Sequence, residues 1–167
     1  FPLLPEESRK VKLALYQNNI WKVVQTEQVN EIGWSVLFRI ENFDMSKDVS
    51  YKIMHGETAY FEGLIRKDPI NKAQITLAAL SCNSNKDRGD RDEYVKNINT
   101  LNPDLIFFAG DQSYDHKEHT AAWLKFGLQF RELFRGRPCI TIPDDHDIGQ
   151  GNLWGEGGIF TNNQNTG

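Results

Sequence analysis

The chain has 167 residues, 39% of them hydrophobic and 25% charged, a composition that excludes disorder and fits one ordinary or two small globular domains. Its formal net charge of −4 argues against a nucleic-acid surface, where clustered Lys and Arg are expected. No apolar run approaches the ~20 residues needed to span a bilayer, and a start at Phe1, without Met or a basic-then-apolar leader, reads as processed or trimmed.

Residues 1–72 read as strands. Residues 11–16 alternate, Asn18-Asn19 makes a turn, and residues 20–24 return. Residues 33–40 are rich in aromatic and branched side chains, and residues 51–54 and 60–66 follow, with turn formers between. Short strands at this spacing predict an antiparallel β-sandwich. His55 reads as structural, and Trp21, Trp34 and Trp123 as core candidates.

The grammar changes at Asp68-Pro69. Residues 75–80 are nearly continuous apolar, the pattern of a strand buried on both faces. The charge run at 87–93 opens a helix over 90–101, its acids suiting the positive N-terminal end, with Tyr94, Val95, Ile98 and Leu101 as the apolar stripe. Asn102-Pro103 stops it, and residues 104–109 form a second buried strand. A second helix is predicted over 120–134, showing Trp123, Leu124, Leu128 and Leu133, ended by Gly136 and Pro138 before a third strand at 139–142. Right-handed crossovers fold β-α-β-α-β into a parallel sheet with its strand C-termini along one edge. The Gly- and Asn-rich stretch beyond Ile148, around Trp154, shows no regular element. Cys82 ends one strand and Cys139 begins another, so they sit at opposite sheet edges and read as unpaired thiols.

Each of the three buried strands ends in polar residues: Ser81-Cys82-Asn83-Ser84-Asn85, then Gly110-Asp111-Gln112-Ser113-Tyr114-Asp115-His116, then Pro143-Asp144-Asp145-His146-Asp147. In an open α/β sheet such loops share the carboxyl edge, where ligands bind. Carboxylates crowded there repel unless cations intervene. Mixed oxygen, nitrogen and sulfur donors suit iron, manganese or zinc, and an oxygen-only subset suits calcium or magnesium. Taken singly, each residue has a plainer reading: Cys82 as a small hydrophobe, Gly110-Asp111 as a turn, Tyr114 as a core-edge cap, and His116 and His119 as solvent-facing or helix-start residues. Three acids and a His directly after a buried strand are harder to explain without use.

This ordered set, Ser81-Cys82, Gly110-Asp111-Gln112-Ser113-Tyr114 and Asp144-Asp145-His146-Asp147, resembles the PhoD-like branch of the calcineurin-like metallophosphoesterases. The resemblance implies an α+β chain: an N-terminal antiparallel β-sandwich (1–72), then the first half (β-α-β-α-β) of an α/β/β/α metallophosphoesterase domain (73–167). It further implies that Asp111 bridges two metal ions and is catalytic, that Cys82 and Tyr114 bind iron(III), and that Asp145 takes a metal-binding position. By the same resemblance, His146 takes the place of the family's histidine that contacts phosphate and assists the leaving group. The implied cofactors are iron(III) with calcium, with manganese or zinc as substitutes. The implied reaction is metal-dependent hydrolysis of phosphate mono- or diesters by an exported protein.

The sequence departs from that family's pattern in one respect. Its four histidines all lie at or before His146, so the family's later metal-binding histidines are missing. Three parallel strands also leave an open apolar edge with too few helices for both faces. We therefore expect 1–167 to be a fragment, completed by a C-terminal half that is either continuous or a separate chain. The rival reading is a non-catalytic surface binding or adhesion module with a degenerate phosphoesterase fold; a weaker one is a partner that completes its sheet with another chain.

Overall fold

The computed structural model describes residues 6–31, 33–83, 89–115 and 118–148. His116, Ser84 and Asn85, the start of the charge run and the Gly-rich segment with Trp154 lie outside the described residues. The chain divides into two compact units at Asp68/Pro69.

The first unit contains β1 (Lys10–Gln17), β2 (Ile20–Gln28), β3 (Val49–His55) and β4 (Ala59–Ile65). They form one antiparallel sheet in the order β2-β1-β3-β4. Asn18 and Asn19 both take positive φ, 52° and 64°, the left-handed pair that matches the twist of a two-residue hairpin. Alternation in β1 buries Val11, Leu13 and Leu15. His55 is structural in its contacts, its Nε2 lying 2.6 Å from the Ser8 carbonyl.

The sandwich is not met among the described residues, which hold a single sheet in this unit. Residues 33–40 form no ladder. A turn in which the Asn30 amide donates to the Ser35 carbonyl (2.8 Å) diverts the chain, and the Arg39 amide then bonds the Gln25 side chain rather than a strand backbone. The tryptophans correct a second expectation. Trp21 is 40% and Trp123 45% exposed, and Trp34 is half-buried at φ 49°. Trp21 stays at the surface because it lies on the outward face of the edge strand β2, against Tyr16 and the Lys52 ammonium.

The second unit runs β5 (Leu77–Leu80), α1 (Arg91–Leu101), β6 (Leu105–Ala109), α2 (His119–Gln129), α3 (Arg131–Phe134), β7 (Cys139–Ile142) and a short α4 (Asp145–Ile148). β5, β6 and β7 pair in parallel in that order. Helix α1 starts where the Asp90 side chain accepts from the Asp92 and Glu93 amides, and ends at Asn102 in the left-handed region. Its buried stripe is Val95 and Ile98, while Tyr94 and Leu101 stay exposed.

The helix expected over 120–134 is broken at Phe130, which separates α2 from α3. The break lets Phe126, Phe130 and Phe134 all pack on Phe108, with ring centroids 5.0, 5.1 and 5.4 Å away. The stripe is accordingly Ala122, Phe126, Phe130 and Leu133; Trp123 and Leu128 face out. These side chains, with Val95, Ile98 and Ile106, make one core on one face of the sheet, joined by Ala78, Leu80 and Cys139. The strands are therefore not buried on both faces: Leu77, Ile140 and Ile142 on the other face are 51%, 49% and 45% exposed.

Both cysteines are free thiols. Burial against the helices pushes the Cys139 thiol up to about 11, partly offset by Arg137. A thiol that holds its proton more tightly when folded makes stability fall once the unfolded thiol ionises. Stability should therefore decline as pH rises from about 9 toward 11. In urea melts across that range, Cys139→Ala should flatten the decline; an unchanged slope would show that other groups cause it.

Candidate metal centre

Parallel register aligns Leu80 with Phe108 and Ala109 with Ile142, so the residues after each strand emerge along one edge. Backbone geometry then turns three of them inward. Cys82 (φ 57°), Gly110 (φ 92°) and Asp111 (φ 58°) all take positive φ. For non-glycine residues this conformation costs about 1–3 kcal/mol and tends to collect at functional sites. Gly110 is required twice over: besides its φ, a Cβ there would lie 2.4 Å from the Asp144 Cβ. Its bareness is what lets the loop after β7 close on the loop after β6. The Cys82 amide bonds the Gly110 carbonyl at 3.3 Å, drawing in the loop after β5.

Asp111 is the hub. Its Oδ2 accepts from the Tyr114 hydroxyl at 2.9 Å and lies 3.5 Å from the Cys82 Sγ. Its Oδ1 is buried with no hydrogen-bond partner. Asp111, Asp145 and His146 each offer a ligand atom, all within 4.8 Å of one another. Asp111 and Asp145 are each 9% exposed as whole residues. The His146 Nε2 lies 4.0 Å from the Asp145 Oδ2, and the His146 ring packs on Tyr114 at 4.3 Å between centroids. Burial, then hydrogen bonds with Cys82 and Asp111, push the Tyr114 phenol above its ordinary range.

The five residues singled out in sequence, Cys82, Asp111, Tyr114, Asp145 and His146, thus gather at one edge. His119, expected as a solvent-facing or helix-start residue, opens α2, and its Nε2 also lies 3.2 Å from the His146 carbonyl. Nothing in the sequence signals a contact across those 27 residues. Asn83 and Gln112 form a buried amide pair at 3.2 Å beneath the loops, likewise without a sequence signal.

The donor set fits a cation on two counts. A buried carboxylate oxygen without a partner is costly, and an ion would satisfy it. The ligand atoms that converge are two carboxylates and an imidazole, with the Cys82 thiol and the Tyr114 phenol against the Asp111 carboxylate beside them, a nitrogen and oxygen set with soft neighbours that suits a transition metal.

No protein-family profile matches the chain, and no curated protein matches it in sequence. Among solved structures it is similar to a purple acid phosphatase from yellow lupin (Lupinus luteus) seeds, with a TM-score of 0.62 and 12% identity. The likeness is one of fold. It covers 96% of this chain and 36% of that one, so the chain spans about a third of that protein's length. An antiparallel sheet followed by a parallel sheet is the architecture described above for this chain.

Gly110→Ala should test how the two loops close. The methyl group would meet Asp144 in a backbone conformation Ala disfavours, so a loss of more than about 1 kcal/mol is expected in denaturant melts. A midpoint equal to that of the parent would mean the loops do not need this approach.

Proposed function

We propose that the chain carries part of the metal centre of a metal-dependent hydrolase of phosphate mono- or diesters, of the PhoD-like kind. The observation that carries this reading is the convergence of ligand atoms from Asp111, Asp145 and His146 within 4.8 Å, at an Asp111 carboxylate whose Oδ1 is buried without a hydrogen-bond partner. The fold shared with a purple acid phosphatase supports it. Asp111 would be the shared ligand, with Cys82, Tyr114 and Asp145 as further ligands. By the motif resemblance the ions are iron(III) and calcium, with manganese or zinc as substitutes.

When bound, such ions supply charge neutralisation for a phosphoryl group and acidity for water. The chain's own residues supply the rest. Asp111 gathers the thiol and phenol around one carboxylate, so that donors from two strand ends converge. His146 has its imidazole against the Tyr114 ring, and its backbone carbonyl takes a bond from the His119 side chain. From there it would orient the phosphate and give a proton to the departing oxygen. Because the chain spans about a third of its structural neighbour, further residues that complete the centre are assigned to the remainder of a longer protein or to a second chain. Export belongs to the same proposal and rests on the motif resemblance alone.

Two measurements on the full-length protein test the reading. Asp111→Asn should lower metal content and p-nitrophenyl phosphate hydrolysis together, by more than the roughly 10–100-fold typical of outer partners. Normal metal loading in that variant would overturn the assignment. With iron(III) bound, a phenolate ligand gives a visible colour, which Tyr114→Phe should abolish; colour that survives the substitution would remove Tyr114 from the ligand set.

A further inference from the structure

The loops after β6 and β7 are tied by one side chain outside the proposed ligand set. The Asp147 Oδ1 accepts from the Ser113 amide at 2.9 Å, and its Oδ2 accepts from the Asp144 amide at 3.1 Å. Ser113 stands between Asp111 and Tyr114, and Asp144 directly precedes Asp145 and His146. One carboxylate therefore joins the segment carrying the proposed ligands Asp111 and Tyr114 to the segment carrying Asp145 and the His146 imidazole. We propose that Asp147 is a positioning residue, setting the distance between the Asp111 and Asp145 carboxylates across the two loops. The proposal rests on the metal-centre reading above and extends it to a residue that binds no ion itself.

The physical case is one of committed lone pairs. Ser113 is 1% exposed, so its amide depends on a protein acceptor; losing one leaves a dry, unpaired N–H. An ionised acceptor with two oxygens serves two amides at once, in bonds stronger than neutral ones. Asn offers only one acceptor oxygen, and its NH₂ would confront the second amide donor to donor. Glu keeps both acceptors on a longer stem. The rest of the 144–147 turn is fixed locally, by the Asp145 amide on the Asp144 side chain (2.9 Å) and the Asp147 amide on the Asp144 carbonyl (3.1 Å). Among these contacts, the Asp147–Ser113 bond is the one that crosses between the loops.

Manganese titration calorimetry on the full-length protein, well below its melting temperature, separates positioning from mere structure. Asp147→Asn should weaken Mn²⁺ binding by about 10–100-fold in a protein that still melts cooperatively, and Asp147→Glu should recover most of the affinity. A purely structural role would lower the melting temperature and leave the affinity alone, and an unchanged affinity in Asp147→Asn overturns the inference. Asp111→Asn in the same series reports on the metal centre itself: if it binds as tightly as the parent, the functional reading fails, whatever Asp147 does. Should Asp147→Asn not fold, amide exchange in the parent protein decides. Slow exchange at both Ser113 and Asp144 supports the tie, and exchange at the rate of an open peptide at either one overturns it.

Discussion

Parallel registration of β5, β6 and β7 is the constraint on which the candidate centre depends. Leu80 faces Phe108 and Ala109 faces Ile142, so three chain segments leave the sheet side by side. Without that alignment Cys82, Asp111 and Asp145 would be ordinary loop residues. The register is held from below by the helices: Phe108 lies beneath three phenylalanines from α2, α3 and the break between them, and it is fully buried. The order β5-β6-β7 also puts both crossovers on one side, which explains why one face is packed while Leu77, Ile140 and Ile142 stay exposed.

Local chemistry was the most legible part of the sequence. Asn18-Asn19 reads as a turn and is one, Asp90 and Asn102 bracket α1, and the apolar runs mark β5 to β7. Each of those signals acts within a few residues of itself. The failures share the opposite character. Residues 33–40 have strand composition, yet no neighbouring strand offers them a ladder, because the Asn30–Ser35 turn diverts the chain. Continuous apolar runs suggested two-sided burial, but burial depends on what the crossovers bring, and they bring helices to one face. The stripe of α2 shifted because Phe130, not Leu128, reaches Phe108.

The candidate site was legible for a related reason. Its residues announce themselves as polar clusters directly after apolar runs, a signal local to each strand end. What the sequence does not carry is how the clusters touch. The approach of Gly110 to Asp144 and the bond from His119 to His146 span 34 and 27 positions, and no pattern of residue types encodes either one. Sequence therefore names the donors, while the packing sets the distances between them.

That division explains where the strain sits. Cys82 and Asp111 occupy left-handed backbone at the first turns beyond β5 and β6, each at a cost of about 1–3 kcal/mol. In ordinary extended backbone the side chains there would alternate away from the edge, as they do along the strands. Reversing φ at Asp111 turns its carboxylate back toward Tyr114 and Cys82. The aromatic core under β6 supplies packing that can sustain that cost, since its rings are fully or nearly fully buried at Phe108, Phe126 and Phe130. A fold selected for stability alone would have little reason to keep a bent-back aspartate with an unpartnered oxygen. A fold that holds a cation there has one, because the ion turns the orphaned lone pair and the clustered charge from a penalty into a bond.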